Sequence, residues 1–255
     1  MAGVYDNPEY YEIAFSFRDI TREVDLFEEC FRRFSRVPVR SVLELGCGNS
    51  PHMEELSARG YQYHGLDQNR LMLQYARQKS RRIGANVKLF RRDMVAFSLR
   101  MKVDFVYVLL GSLHARNTKE LRSHFDSVAK VLRNGGLYLL DWCVQYESPW
   151  AQEGGETWHM KREGVHVKVT VSWKVVDPVE QTFEETIALE VDDHGKCLTL
   201  EEKEIKRAIY PQEFLCIISS SGAFEFVGWW NNWDLSQPLE KAARIDRPIA
   251  LLRRL

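Results

Sequence analysis

Between residues 39 and 142 short apolar runs alternate with stretches whose hydrophobic positions recur at helical spacing. The runs predict strands over 40–45, 61–66, 86–91, 103–110 and 137–142. Two of the intervening helices are well marked. One is predicted to open at Ser50-Pro51, a capping residue followed by proline at the first helical position, with Glu54 and Glu55 in its first turns. The other spans Thr118 to Arg133, carries Leu121, Phe125, Val128, Ala129 and Leu132 on one face, and stops at Asn134-Gly135-Gly136. Strands alternating with helices predict a parallel sheet covered on both faces. An earlier helix over about 20–34 sets Val24, Phe27, Phe31 and Phe34 at helical spacing and turns Arg32 and Arg33 outward.

After Trp142 the period changes to two. Val165, Val167, Val169, Val171, Trp173 and Val175 alternate with His166, Lys168, Thr170, Ser172 and Lys174. A second alternation runs from Phe183 to Val191 and ends at Asp192-Asp193-His194-Gly195, and a weaker strand follows over about 197–209. These are expected to be half-buried antiparallel strands beside the α/β core. Pro211 opens a helix to about 221, and Phe224 to Trp230 and Pro248 to Arg253 complete the main sheet. The expected fold class is α/β, a doubly wound and mostly parallel seven-stranded sheet with an added antiparallel subdomain.

With 255 residues and a hydrophobic fraction of 45%, the chain suffices for one large domain with an insertion. Its 35 basic and 36 acidic residues leave a net charge of −1, so no bulk field favours nucleic acid or a membrane surface. Charges at Asp6 and Glu9 argue against a signal peptide, and the apolar stretch from Val103 to Leu113 is too short to span a bilayer. Five cysteines without a CxxC pair read as reduced, packed thiols, with no zinc site and no disulfide frame. A cytoplasmic protein, monomeric or homodimeric, is expected.

The chemistry concentrates at Val42-Leu43-Glu44-Leu45-Gly46-Cys47-Gly48-Asn49-Ser50-Pro51, a buried strand ending in a glycine-rich turn. A carboxylate in a central parallel strand costs several kcal/mol unless it is bonded. Glu44 stands at the carboxyl end of that strand, where open α/β sheets bind ligands. Bonding to the loop's own amides is the alternative. Asp67 ends the next strand, nineteen residues past Gly48, and can accept both hydroxyl hydrogens of a ribose; with Gln68 and Asn69 it can equally begin a helix. Asp93 ends the third strand and can accept from an adenine amino group with Met94 against the ring, or simply shape a turn. A ligand cationic at one end and carrying a ribose at the other suits this set, and S-adenosylmethionine (SAM) is such a ligand. A nicotinamide dinucleotide fits less well. Pro51 occupies the third glycine position of its fingerprint, and Glu54 and Glu55 would oppose a pyrophosphate.

The ELGCGNSP segment, Asp67, Asp93, the strand Val103 to Leu110 and Val131-Leu132-Arg133-Asn134-Gly135-Gly136-Leu137 resemble, in order, the successive motifs of class I SAM-dependent methyltransferases. The resemblance covers residues 38–142 and implies a Rossmann-like core. It implies that Glu44, Gly46, Cys47 and Gly48 frame the methionine end, Asp67 and Gln68 the ribose, and Asp93 and Met94 the adenine. Leu109 and Leu110 would lie behind the sulfonium. The added strands resemble the insertion of small-molecule methyltransferases such as the glycine and amino-sugar N-methyltransferases. Nucleobase- and protein-amino methylating enzymes carry Asn/Asp-Pro-Pro-Tyr after the fourth strand. Leu110-Gly111-Ser112-Leu113-His114 stands there instead and argues against nucleobase acceptors.

Residues 1–37 are therefore expected to form a helical lid, 38–145 with 211–255 the cofactor core, and 146–210 a β insertion over the substrate site. Tyr11 of the lid would face the cofactor and Tyr10 the acceptor, unless the N-terminal aromatics simply pack on the core. His114 is the candidate general base, or an ordinary loop histidine. Asn231 and Trp233 are read as lining the acceptor pocket, or as core and dimer surface. The expected activity is methyl transfer by in-line displacement to nitrogen or oxygen of a small molecule, releasing S-adenosylhomocysteine (SAH). A noncatalytic SAM-binding protein and a nicotinamide-dependent oxidoreductase are the alternatives.

Overall fold

Ser41–Leu45 (β1) is buried along its whole length because it lies at the centre of the main sheet. In the computed structural model, which describes residues 3–146 and 155–255, β2 (Gln62–Asp67) and β4 (Val103–Val108) pair with β1 in parallel on either side. β3 (Lys88–Arg91) continues one edge and β5 (Leu132–Asp141) the other. β10 (Phe224–Trp230) and β11 (Ile249–Arg254) complete a sheet of order β10-β11-β5-β4-β1-β2-β3, in which β11 is antiparallel to both neighbours. The seven-stranded, mostly parallel sheet expected from the pattern is present.

Alternation along the strands divides two cores. Val42, Tyr63, Phe105 and Tyr107 pack against Val24, Phe27 and Cys30 of α2 (Ile20–Phe34) and against Met53 and Leu56 of α3 (Met53–Ala58). Leu43, Leu45, Val106 and Tyr138 face Phe125 and Val128 of α5 (Thr118–Val131) and Phe214 and Ile217 of α6 (Pro211–Ser221). Helix α4 (Arg70–Arg82) follows β2 and is capped by Asn69, whose side chain accepts from the amides of Leu71 and Met72.

A second sheet, β6 (Gly155–Arg162), β7 (Val165–Asp177), β8 (Thr182–Asp193) and β9 (Lys196–Arg207), is antiparallel throughout. Its apolar face, with Val167, Val169, Leu189 and Leu200, packs against Val4 and against Ile13 and Ala14 of α1 (Pro8–Ala14). The segment expected as one lid therefore splits: α1 joins the second sheet, whereas α2 is a layer of the main core.

Local differences from expectation have local causes. Helix α3 opens at Met53, because Ser50 is left-handed (φ 53°) and its amide closes a turn onto Cys47 O. Strand β4 stops at Val108, because Leu110 and Gly111 are left-handed (φ 52° and 61°). Helix α5 ends at Val131, before the glycines; Gly136 passes so close to Asp104 that a Cβ would lie 2.6 Å from its carbonyl oxygen. Cys30, Cys47 and Cys143 are buried, but Cys197 and Cys216 are exposed, so the thiols are not uniformly packed. Among the described residues no helix is long and apolar enough to cross a membrane.

Two core histidines make acid stability predictable. His64 (4% exposed) is held at a pKa of about 4 by burial and by Lys88. His124, bonded to Met94 O and the Tyr138 hydroxyl, is held at about 4 chiefly by burial. Both are neutral in the fold and protonate near 6.5 once unfolded, so stability falls as pH drops from about 6.5 to about 4. The loss should reach about 3 kcal/mol for each histidine, and urea unfolding of His64→Leu should show a correspondingly flatter limb across that window.

Candidate functional site

A cavity of about 1750 Å³ opens between the two sheets, over the carboxyl ends of β1, β2 and β4. A smaller compartment of about 220 Å³ adjoins it, and Tyr11, Gly46, Gly48, Leu110 and Ser112 line both. The geometry of the small compartment begins with Glu44. Its Oε2 accepts the hydroxyl hydrogens of Tyr63 at 2.5 Å and Tyr107 at 3.1 Å, while Oε1 lies 3.5 Å from His52 Nδ1. One carboxylate oxygen is thus anchored in the core and the other faces the compartment wall. Loop amides do not satisfy it.

Gly46 and Gly48 are both left-handed (φ 64° and 47°), which brings the chain back across the strand end. Met94 packs against this turn, so closely that a Cβ on Gly46 would lie 2.8 Å from Met94 Cε. Asp67 closes the turn from the next strand: its Oδ2 accepts from Gly48 N at 2.8 Å and its Oδ1 from Asn69 N at 2.7 Å. Burial raises the Asp67 pKa, and the two amides oppose that rise. Each oxygen keeps a further lone pair for a ligand hydroxyl. Gln68 is exposed at the rim, Leu109 is buried behind the small compartment, and the Cys47 thiol is driven up in pKa by burial.

The turn after β4 is held from below by Asp141, the last residue of β5. Asp141 is fully buried; its Oδ2 accepts from Leu110 N at 3.0 Å and its main-chain oxygen from Gly111 N at 3.0 Å. His114 follows, with Nδ1 3.2 Å from Ser112 O and Nε2 3.5 Å from Asp93 Oδ1. A carbonyl only accepts, so Nδ1 carries a hydrogen toward Ser112 O, and Nε2 is the ring nitrogen on the Asp93 side. Nε2 is a buried atom without a hydrogen-bond partner among the described residues. Asp93 also accepts from Val95 N, so its turn-forming and cleft-facing roles coexist.

Sequence reasoning missed the charges beneath this floor. Glu23, on the buried stripe of α2, receives Arg18 Nη2 at 2.5 Å, His52 Nε2 at 2.8 Å and Arg247 Nη1 at 2.7 Å. Arg247 continues to Asp141 Oδ2 at 3.1 Å and lies over the Trp233 ring, 4.3 Å from its centroid. Burial opposes ionisation of Glu23, but the His52 and Arg18 bonds prevail and hold its pKa well below the glutamate range. The signals available were Asp141, which ends a strand as Asp67 does, and Glu23, which interrupts an apolar stripe four residues before Phe27.

Three expected acceptor residues lie elsewhere. The Tyr10 hydroxyl donates to Asp193 Oδ2 at 2.8 Å, at the turn between β8 and β9. Trp233 is core: its indole donates to Asp141 Oδ1 at 3.0 Å. Asn231 is buried and bonds Arg244 O and Asp246 N, bracing the loop before β11. None of the three lines either compartment. Tyr11 does, and burial raises its phenol well above the usual range. Among the described residues no cluster of side chains could hold a metal ion.

Residues 42–136 match the family model described as a methyltransferase domain. A dTDP-3-amino-3,4,6-trideoxy-α-D-glucopyranose N,N-dimethyltransferase of Streptomyces venezuelae is 27% identical over 158 residues, which is 56% of this chain and 65% of that protein. A protein named as a methyltransferase in Geobacillus sp. strain WCH70 is 24% identical over 111 residues, 43% of this chain and 45% of its own length. These alignments therefore span less than two thirds of either curated relative. The fold extends further. A SAM-dependent methyltransferase from Clostridium acetobutylicum ATCC 824 superposes with a TM-score of 0.77 at 19% identity, covering 96% of this chain and 95% of that one.

The ion chain makes a prediction of its own. Arg247→Met leaves Asp141 buried without its cation and should lower stability by about 3–5 kcal/mol in urea unfolding. A loss under 1 kcal/mol would mean that the chain does not support the floor.

Proposed function

We propose that this chain, a class I methyltransferase by domain and by fold, transfers a methyl group from SAM to a nitrogen or oxygen of a small-molecule acceptor. One observation carries this reading: a small compartment walled by Glu44 adjoins a large cavity lined by the strand-end carboxylate Asp67, and the glycine turn that Asp67 holds through Gly48 lines both. The residues fit SAM. Among the described residues His52 Nδ1 is buried without a hydrogen-bond partner beside Glu44 Oε1, and the left-handed Gly46 and Gly48 line both compartments. Glu44 would take the ammonium of the amino-acid end and Arg18 its carboxylate; Asp67 and Gln68 would take the ribose hydroxyls. Asp93 and Met94 would border the adenine, with Tyr11 across from them. A diphosphate in the same place would meet two carboxylates, Glu44 and Asp67, which disfavours a dinucleotide.

When bound, SAM supplies an electrophilic methyl group on a sulfonium. The protein's part is mostly placement, for which effective molarities of about 10⁵–10⁸ M are attainable. The Leu110–Ser112 main chain, fixed by Asp141, forms a rigid wall at the reacting end. Phe15 and Trp158 give the large cavity an aromatic wall. His114 Nε2 takes the acceptor's proton while its Nδ1–H stays on Ser112 O. The acceptor of the Streptomyces relative, named as an amino sugar, is a nitrogen nucleophile of this kind.

Titration calorimetry should show SAM binding and no comparable heat with NADH. A panel of amines, hydroxylated metabolites and carboxylates should then identify an acceptor by SAH release. Asp67→Asn should weaken SAM about 10- to 100-fold. His114→Ala should lower kcat about 10²- to 10⁴-fold with the Kd for SAM unchanged. Preference for NADH contradicts the proposal, and wild-type turnover by His114→Ala removes the base.

A further inference from the structure

The roof of the large cavity carries a charge pair that cofactor binding leaves unused. Lys206 on β9 is only 4% exposed, yet its Nζ stands 2.5 Å from Glu185 Oε1 on β8 and 3.3 Å from Gly111 O. Taking an ammonium and a carboxylate out of water costs several kcal/mol for each ion, and an apolar contact would join the sheets more cheaply. The pair sits at the reacting end. Lys206 holds Gly111 O and the neighbouring amide of Arg207 donates to Ala115 O, so β9 grips the turn that carries His114 at both ends.

Two buried polar atoms on this cavity's wall, His114 Nε2 and the Tyr146 hydroxyl, have no hydrogen-bond partner among the described residues. As lining residues, His114 and Tyr146 make this end of the cavity polar. Register shows its sign. Glu185 lies directly opposite Trp173 on one side and Glu204 on the other, so all three share the face that lines the cavity. Like charges directly opposite are destabilising in a sheet. Lys206 neutralises only one of them: Glu204 Oε2 is 4.0 Å away, beyond hydrogen-bond reach. Burial first, and then the fields of Glu204, Tyr11, Glu185 and Glu202, drive the Tyr5 phenol well up in pKa, and three of these four neighbours are roof carboxylates. Six arginines line the cavity, yet among the described residues none pairs with Glu185 or Glu204. Arg247 is committed to Glu23 and Asp141, Arg207 to Gln181 and Glu213, and Arg244 to Asp246. Arg91 and Arg92, which with Arg70 stand near the ends of β2 and β3, bond the main-chain oxygens of Gln68 and Arg91. Trp173 beside Glu185, with Phe183 and Trp158 nearby on the lining, offers ring faces that favour a cation.

Resting on the methyltransferase reading above, we propose that Glu185, held in place by Lys206, determines acceptor specificity by receiving an amine that enters as its ammonium ion, with an apolar or aromatic body against Trp173. The class is cationic amines, as against neutral alcohols and anionic carboxylates or phosphates.

The test uses three probes that differ only at the terminal group: phenethylamine, phenethyl alcohol and phenylacetate, titrated into the full chain saturated with SAH. Phenethylamine should bind at least tenfold tighter than either of the others. Glu185→Gln should reduce that preference to less than threefold while the Kd for SAM stays within twofold of wild type. Glu204→Gln, which leaves the Lys206–Glu185 pair whole, should reduce it partway, and Glu190→Gln on the exposed side of β8 should leave it unchanged. Equal binding of the alcohol or phenylacetate, no binding of any probe, or an undiminished preference in Glu185→Gln overturns the proposal while SAM binding stands. Failure of wild type to bind SAM or SAH refutes the underlying reading, and this one with it.

Discussion

The cleft rests on one buried carboxylate. Glu23 joins three segments far apart in the chain: Arg18 before α2, His52 after the glycine-rich turn, and Arg247 before the last strand. Through Arg247 it reaches Asp141, and through Asp141 the turn after β4; through His52 it reaches Glu44. A buried charge removed from water at this depth is tolerable only when every partner is in place. The floor therefore forms as a unit, and its geometry is set before any ligand arrives.

That rigidity decides how the strained parts persist. Leu110 is a branched side chain in the left-handed region, a conformation that costs of order 1–3 kcal/mol. Asp141 offsets this by accepting the Leu110 amide directly. The other wall is built differently. The antiparallel sheet packs on α1 and meets the core at Gly111 and Ala115, so Lys206 and the candidate base His114 are joined through one short turn. Glu44 and Asp67 belong to the parallel sheet, Glu185 and Lys206 to the antiparallel one.

Much of this was legible in the chain because its causes are local. Strand ends, the glycine pair and the acids at Glu44, Asp67 and Asp93 lie in short windows where period and residue type suffice. The long strand β7 announces itself by alternation, β8 less cleanly and β9 only weakly. What escaped was non-local. Nothing near Arg18 or Arg247 says that they meet across some 230 residues at Glu23. Lys206 and Glu185 sit in separate strands, and only register brings the two charges together. Asn231 and Trp233 were half-readable: of the two roles open to them, core and pocket lining, the tertiary contacts select core. Strand β6 escaped because only Trp158 and Met160 alternate within an otherwise polar edge.

The central claim is that a cationic nucleoside seats where Glu44 and Asp67 converge. Amide hydrogen exchange read by mass spectrometry, with and without saturating SAM, tests it most directly. Exchange should slow in 44–50, 66–69, 93–95 and 109–114, the segments bordering the two compartments, and stay constant along the outer strand β10. Unchanged exchange in those four segments, or the same protection produced by NADH in place of SAM, would contradict the account.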